Sequence, residues 1–239
     1  MQSIFKRYEK KYLITETQNT ALKKTISEYM IPDQYGEYQV QNLYYDTDNW
    51  DVIRASIEKP AYKEKMRLRC YGEATGESKF YLELKKKYKG VVYKRRIEIP
   101  AQSLIGSSVR GIVAGTLSQI SKELDFYLQS NGVAEKIYIG YQRTAFAGIE
   151  DDGLRVTFDT DVRFRLDDLN FSNSTTGQCI LPESKILMEV KTLGGMPLWM
   201  AGALSENEVF PTSFSKFGTC YTDYVLKQIC DERKVTLCA

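Results

Sequence analysis

The chain has 239 residues, of which 43% are hydrophobic and 27% are charged, and its formal net charge is +2. These values are typical of a globular protein with a substantial core, and they give no general basic surface of the kind that binds nucleic acid. Histidine is absent, which excludes Ser-His-Asp catalysis, Cys-His catalysis and every histidine-ligated metal site. Any metal would therefore be held by carboxylates, which favours Mg²⁺ or Mn²⁺.

Cysteine spacing and hydropathy indicate a cellular compartment. The five cysteines are scattered and form no CxxC pair, which argues against a disulfide framework or a zinc cluster and fits a reducing environment. No run approaches the roughly 18 apolar residues that a membrane-spanning helix needs. The first residues, "MQSIFKRYEKKYLI", lack the apolar core of a signal peptide. We therefore expect a cytoplasmic protein with no membrane segment in this chain.

The first part of the chain mixes strand and helix signals. Thr15 begins a capping-box pattern, Thr-Glu-Thr-Gln, which predicts a helix that ends before Pro32. The segment "NWDVIRASI" predicts a second, short helix. Period-two alternation predicts strands at residues 4–14, 38–46 and 63–71 and two more in "YLELKKKYKGVVYKRRIEI", residues 81–99.

The second part begins with helices and returns to strands. Residues 101–131 are helical in period, and Asn131-Gly132 is typical of a helix C-terminus. Strands follow in "KIYIGYQRTAF", "LRVTFDTDVRFRL" and "SKILMEVKTL", and "MPLWMAGALSE" and "SKFGTCYTDYVLKQI" are again helical. No repeat or composition break marks a linker, so we expect one α+β domain over residues 1–239 with mostly antiparallel strands.

Nearly every predicted strand carries basic residues two positions apart on one face. Arg67 and Arg69 share a face opposite Leu68, and Glu189 and Lys191 share one opposite Val190. The set on the charged faces is Arg7, Glu9, Lys11, Arg67, Arg69, Glu83, Lys85, Lys94, Arg96, Glu98, Tyr141, Arg143, Arg155, Thr157, Asp159, Asp161, Glu189 and Lys191.

Two interpretations of these faces compete. For any one strand, a charged face that meets water is the simpler account. Across the set, however, arginine recurs at paired positions, and its planar fork matches phosphate oxygens. The alternative is a closed antiparallel β-barrel with a basic lumen and helices packed on the outside. Such a lumen would need water, counter-carboxylates and a polyanionic guest, because many like charges repel at close range.

Eight segments, taken in order, resemble the VTC domain. This domain is the catalytic module of vacuolar transporter chaperone polyphosphate polymerases, within the triphosphate tunnel metalloenzyme superfamily. The resemblance runs from about residue 4 to residue 228 and lies in "FKRYEKKYLI", "KMRLRCYG", "YLELKKK", "YKRRIEI", "GYQRTAF", "LRVTFDTDV", "ILMEVKT" and "SFSKFGTCY".

The resemblance implies a closed tunnel that transfers the γ-phosphate of ATP onto a polyphosphate chain with a divalent metal, often manganese. ATP and polyphosphate would be its partners, and Glu189 would be the metal ligand. The catalytic residues implied are Lys11, Arg67, Arg69, Lys85, Arg143, Glu189 and Lys191. The further phosphate-binding residues implied are Lys94, Arg96, Tyr141, Arg155, Ser215 and Lys216.

The pattern departs from the related CYTH branch, which opens with Glu-x-Glu-x-Lys where this chain has Arg7, Glu9 and Lys11. Loss of the first carboxylate favours the polymerase-like branch. Two alternatives stay open: a hydrolase of tripolyphosphate or nucleoside triphosphates on the same fold, and a non-catalytic polyphosphate-binding module. The oligomeric state also stays open.

Several individual roles are less sharply defined. Glu9, Glu83 and Glu98 are expected to orient neighbouring basic residues in preference to binding metal. Asp159 and Asp161 could be a second metal ligand or salt-bridge partners. The many tyrosines are expected to pack on strands in preference to stacking on nucleotide bases.

Overall fold

The structure is a computed structural model that describes residues 8–89 and 91–237 of the chain, with side chains described up to residue 231. The predicted strand residues 4–7, including Arg7, lie outside the described residues. The strands are β1 (Tyr8–Thr15), β2 (Met30–Asp46), β3 (Tyr62–Tyr71), β4 (Lys79–Tyr88), β5 (Val91–Pro100), β6 (Ala134–Gly148), β7 (Arg155–Arg165), β8 (Gln178–Cys179) and β9 (Lys185–Thr192).

The helices lie where the sequence predicts them. Thr15 makes the expected capping box with Gln18, and Gly132 ends a helix with a left-handed φ of 58°. The helices are α1 (Glu16–Tyr29), α2 (Asp51–Ile57), α3 (Ala101–Leu104), α4 (Val109–Ala114), α5 (Gln119–Asn131), α6 (Leu198–Glu206), α7 (Lys216–Cys220) and α8 (Leu226–Leu237). A π-helical turn, Tyr221–Val225, joins α7 to α8. No helix within the described ranges is long and apolar enough to cross a membrane.

Within the described residues, the strands form one antiparallel sheet in the order β1-β9-β7-β6-β2-β3-β4-β5, with β8 beside β7. The α+β class and the antiparallel pairing are confirmed. The sheet curls strongly, since β1 and β4, near opposite ends of the strand order, both line one cavity of about 410 Å³. We call the concave side of the sheet the channel.

The prediction of a closed barrel is wrong in its hydrogen bonding. Among the described residues, β1 and β5 are the two edge strands and do not pair with each other. The free edge of β1 is instead occupied by the segment after α6, where the Thr212 N–H donates to the Lys11 carbonyl over 2.7 Å. That loop reaches β3 through Ser215, whose hydroxyl accepts a hydrogen bond from Lys65 Nζ over 3.2 Å. Loop and side-chain contacts therefore span the gap where strand pairing was expected.

Two apolar clusters cover the convex side of the sheet. In the first, Leu22 and Ile26 of α1 and Met200 of α6 are fully buried against β1, β9, β7 and β6. In the second, helices α4 and α5 bury Val113 and Leu124 against β3, β4 and β5. The predicted packing of helices on the outside is confirmed for α1, α4, α5 and α6, and it leaves the charged faces pointing inward. It is wrong for the C-terminal helical segment, which packs on the concave side.

A third cluster closes part of the concave side. Phe217, Cys220 and Tyr221 of the C-terminal helical segment pack against Ile139 of β6 and Leu187 of β9. Apolar side chains thus fill one part of the inner surface, and the charged residues occupy the rest.

Candidate functional site

Strand register brings the charged residues of different strands onto the inner face. Residues directly opposite in an antiparallel pair project to the same side of the sheet. Arg143 lies opposite Asp159, and Lys11 lies opposite Glu189. Arg67 is opposite Glu83, which is in turn opposite Arg96. The period-two pattern therefore becomes two continuous charged surfaces.

The first surface, which we call the carboxylate wall, is built on β1, β6, β7, β9 and the start of α7. Asp159, with no solvent exposure, accepts both arms of the Arg143 fork, over 2.6 and 2.8 Å, and also contacts Lys216. Glu189 is shared by the cations of this wall: Lys191 at 2.8 Å, Lys11 at 3.3 Å, Lys216 at 3.7 Å and Arg143 at 3.9 Å.

Neighbouring cations favour the charged forms of Glu189 and Asp159. Burial by itself would raise the pKa of Glu189, but the four surrounding cations outweigh it and hold that pKa well below its usual range. Burial likewise opposes the charge on Asp159, and Lys216 and Arg143 together lower its pKa. The pKa of Lys216 is raised, because Asp159 and Glu189 outweigh the burial that would lower it. The wall is a set of mutually compensated charges.

The second surface, which we call the arginine wall, lies on β3, β4 and β5 and consists of Arg67, Arg69, Glu83, Lys94 and Arg96. Glu83 is 1% exposed and contacts Arg67 at 2.8 Å, Arg96 at 3.0 Å and Lys94. Burial would raise the pKa of Glu83, but Arg67, Arg69 and Lys94 lower it far more. One buried carboxylate therefore serves several cations.

Arg69 has no carboxylate partner within ion-pair distance in the part of the chain that the structure describes. Its side chain is buried, with the residue 6% exposed, and it donates to Asn42 Oδ1 over 2.8 Å and to the hydroxyls of Tyr71 and Tyr141 over 3.3 and 3.4 Å. A buried cation is normally stabilised by a counter-charge, because its desolvation is otherwise costly. The groups that hydrogen-bond to Arg69 are neutral, and Glu83 acts on its charge from beyond ion-pair distance. Among the described residues the guanidinium therefore lacks a direct counter-charge, which an anion in the channel would supply.

Tyr141 links the two walls. Its ring lies under Arg143, 5.0 Å from the guanidinium carbon, and under Lys216 at 4.3 Å, while its hydroxyl meets Arg69. Burial would raise the pKa of Tyr141, but Arg143, Arg69 and Lys216 lower it. Arg69, Arg143 and Lys191 thus converge on one channel through Tyr141 and Glu189.

A group of lysines lines the cavity between β1 and β3–β4. Lys65 is its central member, and burial, reinforced by Lys11, Lys63, Lys85 and Arg67, lowers the pKa of Lys65 to about 7. The pKa of Lys85 is lowered as well, mainly by burial and partly offset by Glu9. Like charges at this density indicate a second place where an anion would be stabilised.

Ser215 and Lys216 are positioned by a local helix start. The Ser215 hydroxyl caps α7 by accepting from the Gly218 N–H over 3.2 Å, and the next residue, Lys216, is thereby directed into the carboxylate wall. The backbone carbonyl of Phe214 accepts from Lys11 Nζ over 3.1 Å. The segment that covers the edge of β1 therefore also supplies the site.

The structure brings most predicted site residues together and places a few at the margin. Lys11, Arg67, Arg69, Lys85, Tyr141, Arg143, Glu189, Lys191, Ser215 and Lys216 line the channel. Lys94 and Arg96 keep side-chain exposures of 44% and 36%. Arg155 is at the rim, where its ion pair with Asp33 spans 3.6 Å.

The structure also distinguishes carboxylates that the sequence left undecided. Asp159 is a salt-bridge residue of the channel, whereas Asp161 lies at a bulge opposite Gly140–Gln142, has a left-handed φ of 46° and pairs with Arg163. Glu98 pairs with Lys79 at the surface. Lys65 was not among the predicted site residues. It lies two residues before Arg67, so the period-two alternation places it on the same face, and this pattern could have identified it.

The carboxylates that could hold a metal are few. No group of three or more His, Cys, Asp or Glu side chains arranged for metal binding occurs among the described residues. Glu189 and Glu9 both contact Lys11 Nζ, at 3.3 and 3.6 Å. These two could supply one or two oxygen ligands, with phosphate oxygens and water completing the shell, as Mg²⁺ prefers at phosphate sites. The donor set fits a hard divalent cation that binds together with its substrate.

A family model described as "VTC domain" matches residues 6–224. No curated protein matches the chain. Among solved structures, a candidate adenylate cyclase of Vibrio parahaemolyticus is similar at 12% identity with a TM-score of 0.49, over 92% of this chain and 100% of that chain. Protein PH1819 of Pyrococcus horikoshii OT3 is similar at 16% identity with a TM-score of 0.40, over 84% of this chain and 86% of that one.

Proposed function

The chain belongs to the VTC domain family, and from this premise we propose that it transfers the γ-phosphate of ATP onto a polyphosphate chain in its basic channel. We include Mn²⁺ or Mg²⁺ as the metal, a cytoplasmic location and a single domain over residues 1–239 in the proposal. The predicted catalytic and phosphate-binding residues keep those roles here.

The observation that carries the proposal is the unequal charge balance of the inner face. Arg69 is buried without a carboxylate partner among the described residues, and Glu83 alone serves Arg67, Lys94 and Arg96. A phosphate chain supplies the missing negative charge, and its oxygens accept forked hydrogen bonds from guanidinium groups. Such a site recognises consecutive phosphates by their charge density.

Phosphoryl transfer depends on alignment of the reacting phosphates and on compensation of their charge more than on covalent catalysis by the protein. Arg67, Arg69 and Arg96 would hold and neutralise the phosphates of ATP, and Lys65 and Lys85 would stabilise the acceptor chain on the opposite side. The terminal phosphate oxygen of the acceptor is itself the nucleophile, so no histidine base is needed. Glu189 would hold the divalent metal, as the resemblance implies. We add Glu9 as a second ligand, in place of its expected orienting role, because both carboxylates contact Lys11 Nζ. The metal would supply further charge neutralisation at the phosphates.

The deciding experiment is product analysis after incubation with ATP and Mn²⁺. We expect phosphate chains longer than tripolyphosphate on a polyacrylamide gel, and we expect Arg69→Met and Glu189→Gln to abolish them. Asp161→Asn is the matched control, since Asp161 lies outside the channel, and it should leave the products unchanged. Free phosphate as the sole product would contradict the proposal and identify a hydrolase. Tight binding of tripolyphosphate without turnover in any metal would identify a non-catalytic binder.

A further inference from the structure

Four tyrosines form a row at one end of the channel. Tyr35 and Tyr38 lie on β2, Tyr71 ends β3, and Tyr81 lies on β4. Their rings contact edge to face along the row, with centroid separations of 5.9, 6.2 and 5.8 Å. We call these residues the tyrosine row.

Most of the tyrosine row lies outside the core, although Tyr38 also packs against the third apolar cluster. Tyr35 is 67% exposed and Tyr71 is 38% exposed, whereas Tyr45 and Tyr138 elsewhere in the sheet are almost fully buried. Scattered exposed aromatics need no explanation, but a contiguous row of them on a concave surface is typical of a binding site. The expectation that tyrosines pack on strands holds for Tyr45 and Tyr138 and does not account for this row.

The row is continuous with the arginine wall. The guanidinium of Arg96 lies 3.9 Å from the centroid of the Tyr81 ring, and that of Arg69 lies 5.6 Å from the centroid of Tyr71. The Tyr71 hydroxyl accepts hydrogen bonds from Arg96 over 3.0 Å and from Arg69 over 3.3 Å. The aromatic surface therefore begins at Arg69, the buried cation for which the described residues supply no ion-pair partner.

A projection of β2 carries the outermost ring. Residues 33–36 lie opposite the single residue Ala145 of β6, so the strand bulges outward there, and Gly36 supplies the left-handed φ of 61° that the turn requires. Asp33 accepts from the Tyr35 N–H over 3.1 Å and pairs with Arg155 across 3.6 Å. These contacts hold the backbone at Tyr35 in the projecting turn.

We propose that the tyrosine row binds the base of a nucleoside triphosphate whose phosphates lie against Arg69 and Arg96. The inference rests on the proposed function, which places phosphates in the channel. Aromatic side chains stack on any nucleotide base, since every base has a π-face, so the row would favour nucleotides over inorganic phosphate chains without selecting strongly among bases. The tyrosine row would thereby distinguish ATP, the phosphate donor, from the polyphosphate acceptor, which has no aromatic base to stack.

The test compares ATP with tripolyphosphate by isothermal titration calorimetry on the full chain. Tyr35→Ala should weaken ATP binding about tenfold, the size of one base–aromatic stack, and change tripolyphosphate binding less than about twofold. Tyr35→Trp should retain or strengthen ATP binding. Phe126→Ala is the matched control, because Phe126 is a similarly exposed ring, at 72%, on the outer helix α5.

The possible outcomes separate the two proposals. If Tyr35→Ala leaves ATP affinity unchanged, or lowers both affinities equally, the tyrosine row does not hold the base, while the phosphate site stands. If the unmodified protein binds neither ATP nor tripolyphosphate, the proposed function fails together with this inference. Selective loss of ATP affinity, rescued by Tyr35→Trp, supports it.

Discussion

The two walls of the channel contain the same kinds of charged residue but balance them differently. In the carboxylate wall, Lys11, Arg143, Lys191 and Lys216 each contact a carboxylate, and Asp159 and Glu189 are each held by more than one cation. In the arginine wall, Glu83 is the buried carboxylate, and Arg69 relies on neutral partners.

Because of this difference, the two walls should contribute differently to the stability of the fold and to the binding of an anion. Charges that are already paired in a buried network hold the fold together but have little left for a ligand, and removal of one partner leaves an uncompensated charge. A cation surplus does the opposite: it costs stability in the free protein and is relieved when an anion arrives. We therefore expect the arginine wall to contribute more of the phosphate affinity and the carboxylate wall to contribute more of the stability, although residues of both walls face the substrate.

The largest expected effect is on stability, at Glu83, the carboxylate shared by three cations of the arginine wall. Glu83→Gln should lower the free energy of unfolding by about 3–5 kcal/mol, because Arg67, Lys94 and Arg96 lose their shared counter-charge. Urea denaturation measures it. Glu98→Gln is the control: its pair with Lys79 is exposed, so the midpoint should stay near that of the unmodified protein. If Glu83→Gln and Glu98→Gln both changed the free energy of unfolding by the same small amount, Glu83 would be solvated like Glu98.

Acid titration gives an independent check on Glu83. Because its folded pKa is depressed, it contributes stability that is present above the unfolded value, near pH 4, and is lost as pH falls further. Between pH 5 and pH 2, Glu83→Gln should therefore lose less stability than the unmodified protein does. Parallel stability curves for the two proteins would contradict this assignment.

The next effect contrasts one arginine from each wall. Arg69→Met should weaken tripolyphosphate binding roughly 10- to 100-fold, because charged hydrogen bonds to the ligand contribute a binding free energy of about that size. It should leave the fold intact. Arg143→Met should instead lower the free energy of unfolding by about 3 kcal/mol, since Asp159 would lose its forked partner and retain Lys216. Calorimetry and urea denaturation on both variants make the comparison. Reversed results would exchange the roles of the two walls.

The smallest effect is a proton taken up on binding. The pKa of Lys65 is about 7 in the free protein, because burial and the facing cations Lys11, Lys63, Lys85 and Arg67 disfavour its charge. An anion beside it raises that pKa, so at pH 8 tripolyphosphate binding should take up a fraction of one proton. Calorimetry in two buffers of different ionisation enthalpy measures it.

The Lys65 prediction has a matched control on the outer surface. Lys65→Met should abolish the proton uptake, and Lys122→Met, on the exposed side of α5, should leave it unchanged. Uptake that persists in Lys65→Met would assign the proton to another group of the channel.

Much of the site could be predicted from the sequence because period-two alternation is local. Arg67, Arg69 and Glu83 share a face whatever their strands pair with, and the apolar residues between them require a core on the other side. Asp161 shows the limit of this reasoning: it belongs to the same alternation as Asp159, yet a bulge that depends on the partner strand turns it out of the channel. Lys65 obeyed the alternation and was omitted from the predicted site.

The sequence by itself determined the strands, the capped helices and the side of each strand that is charged, because these follow from neighbours within a few residues. Only the tertiary structure decided which cations are paired and which are left over. It also decided that a loop through Thr212 and Ser215, instead of a strand pair, spans the open seam, and that Tyr35 and Tyr71 meet in one row. Charge balance and ring contacts depend on residues far apart in the chain, and no local pattern encodes them.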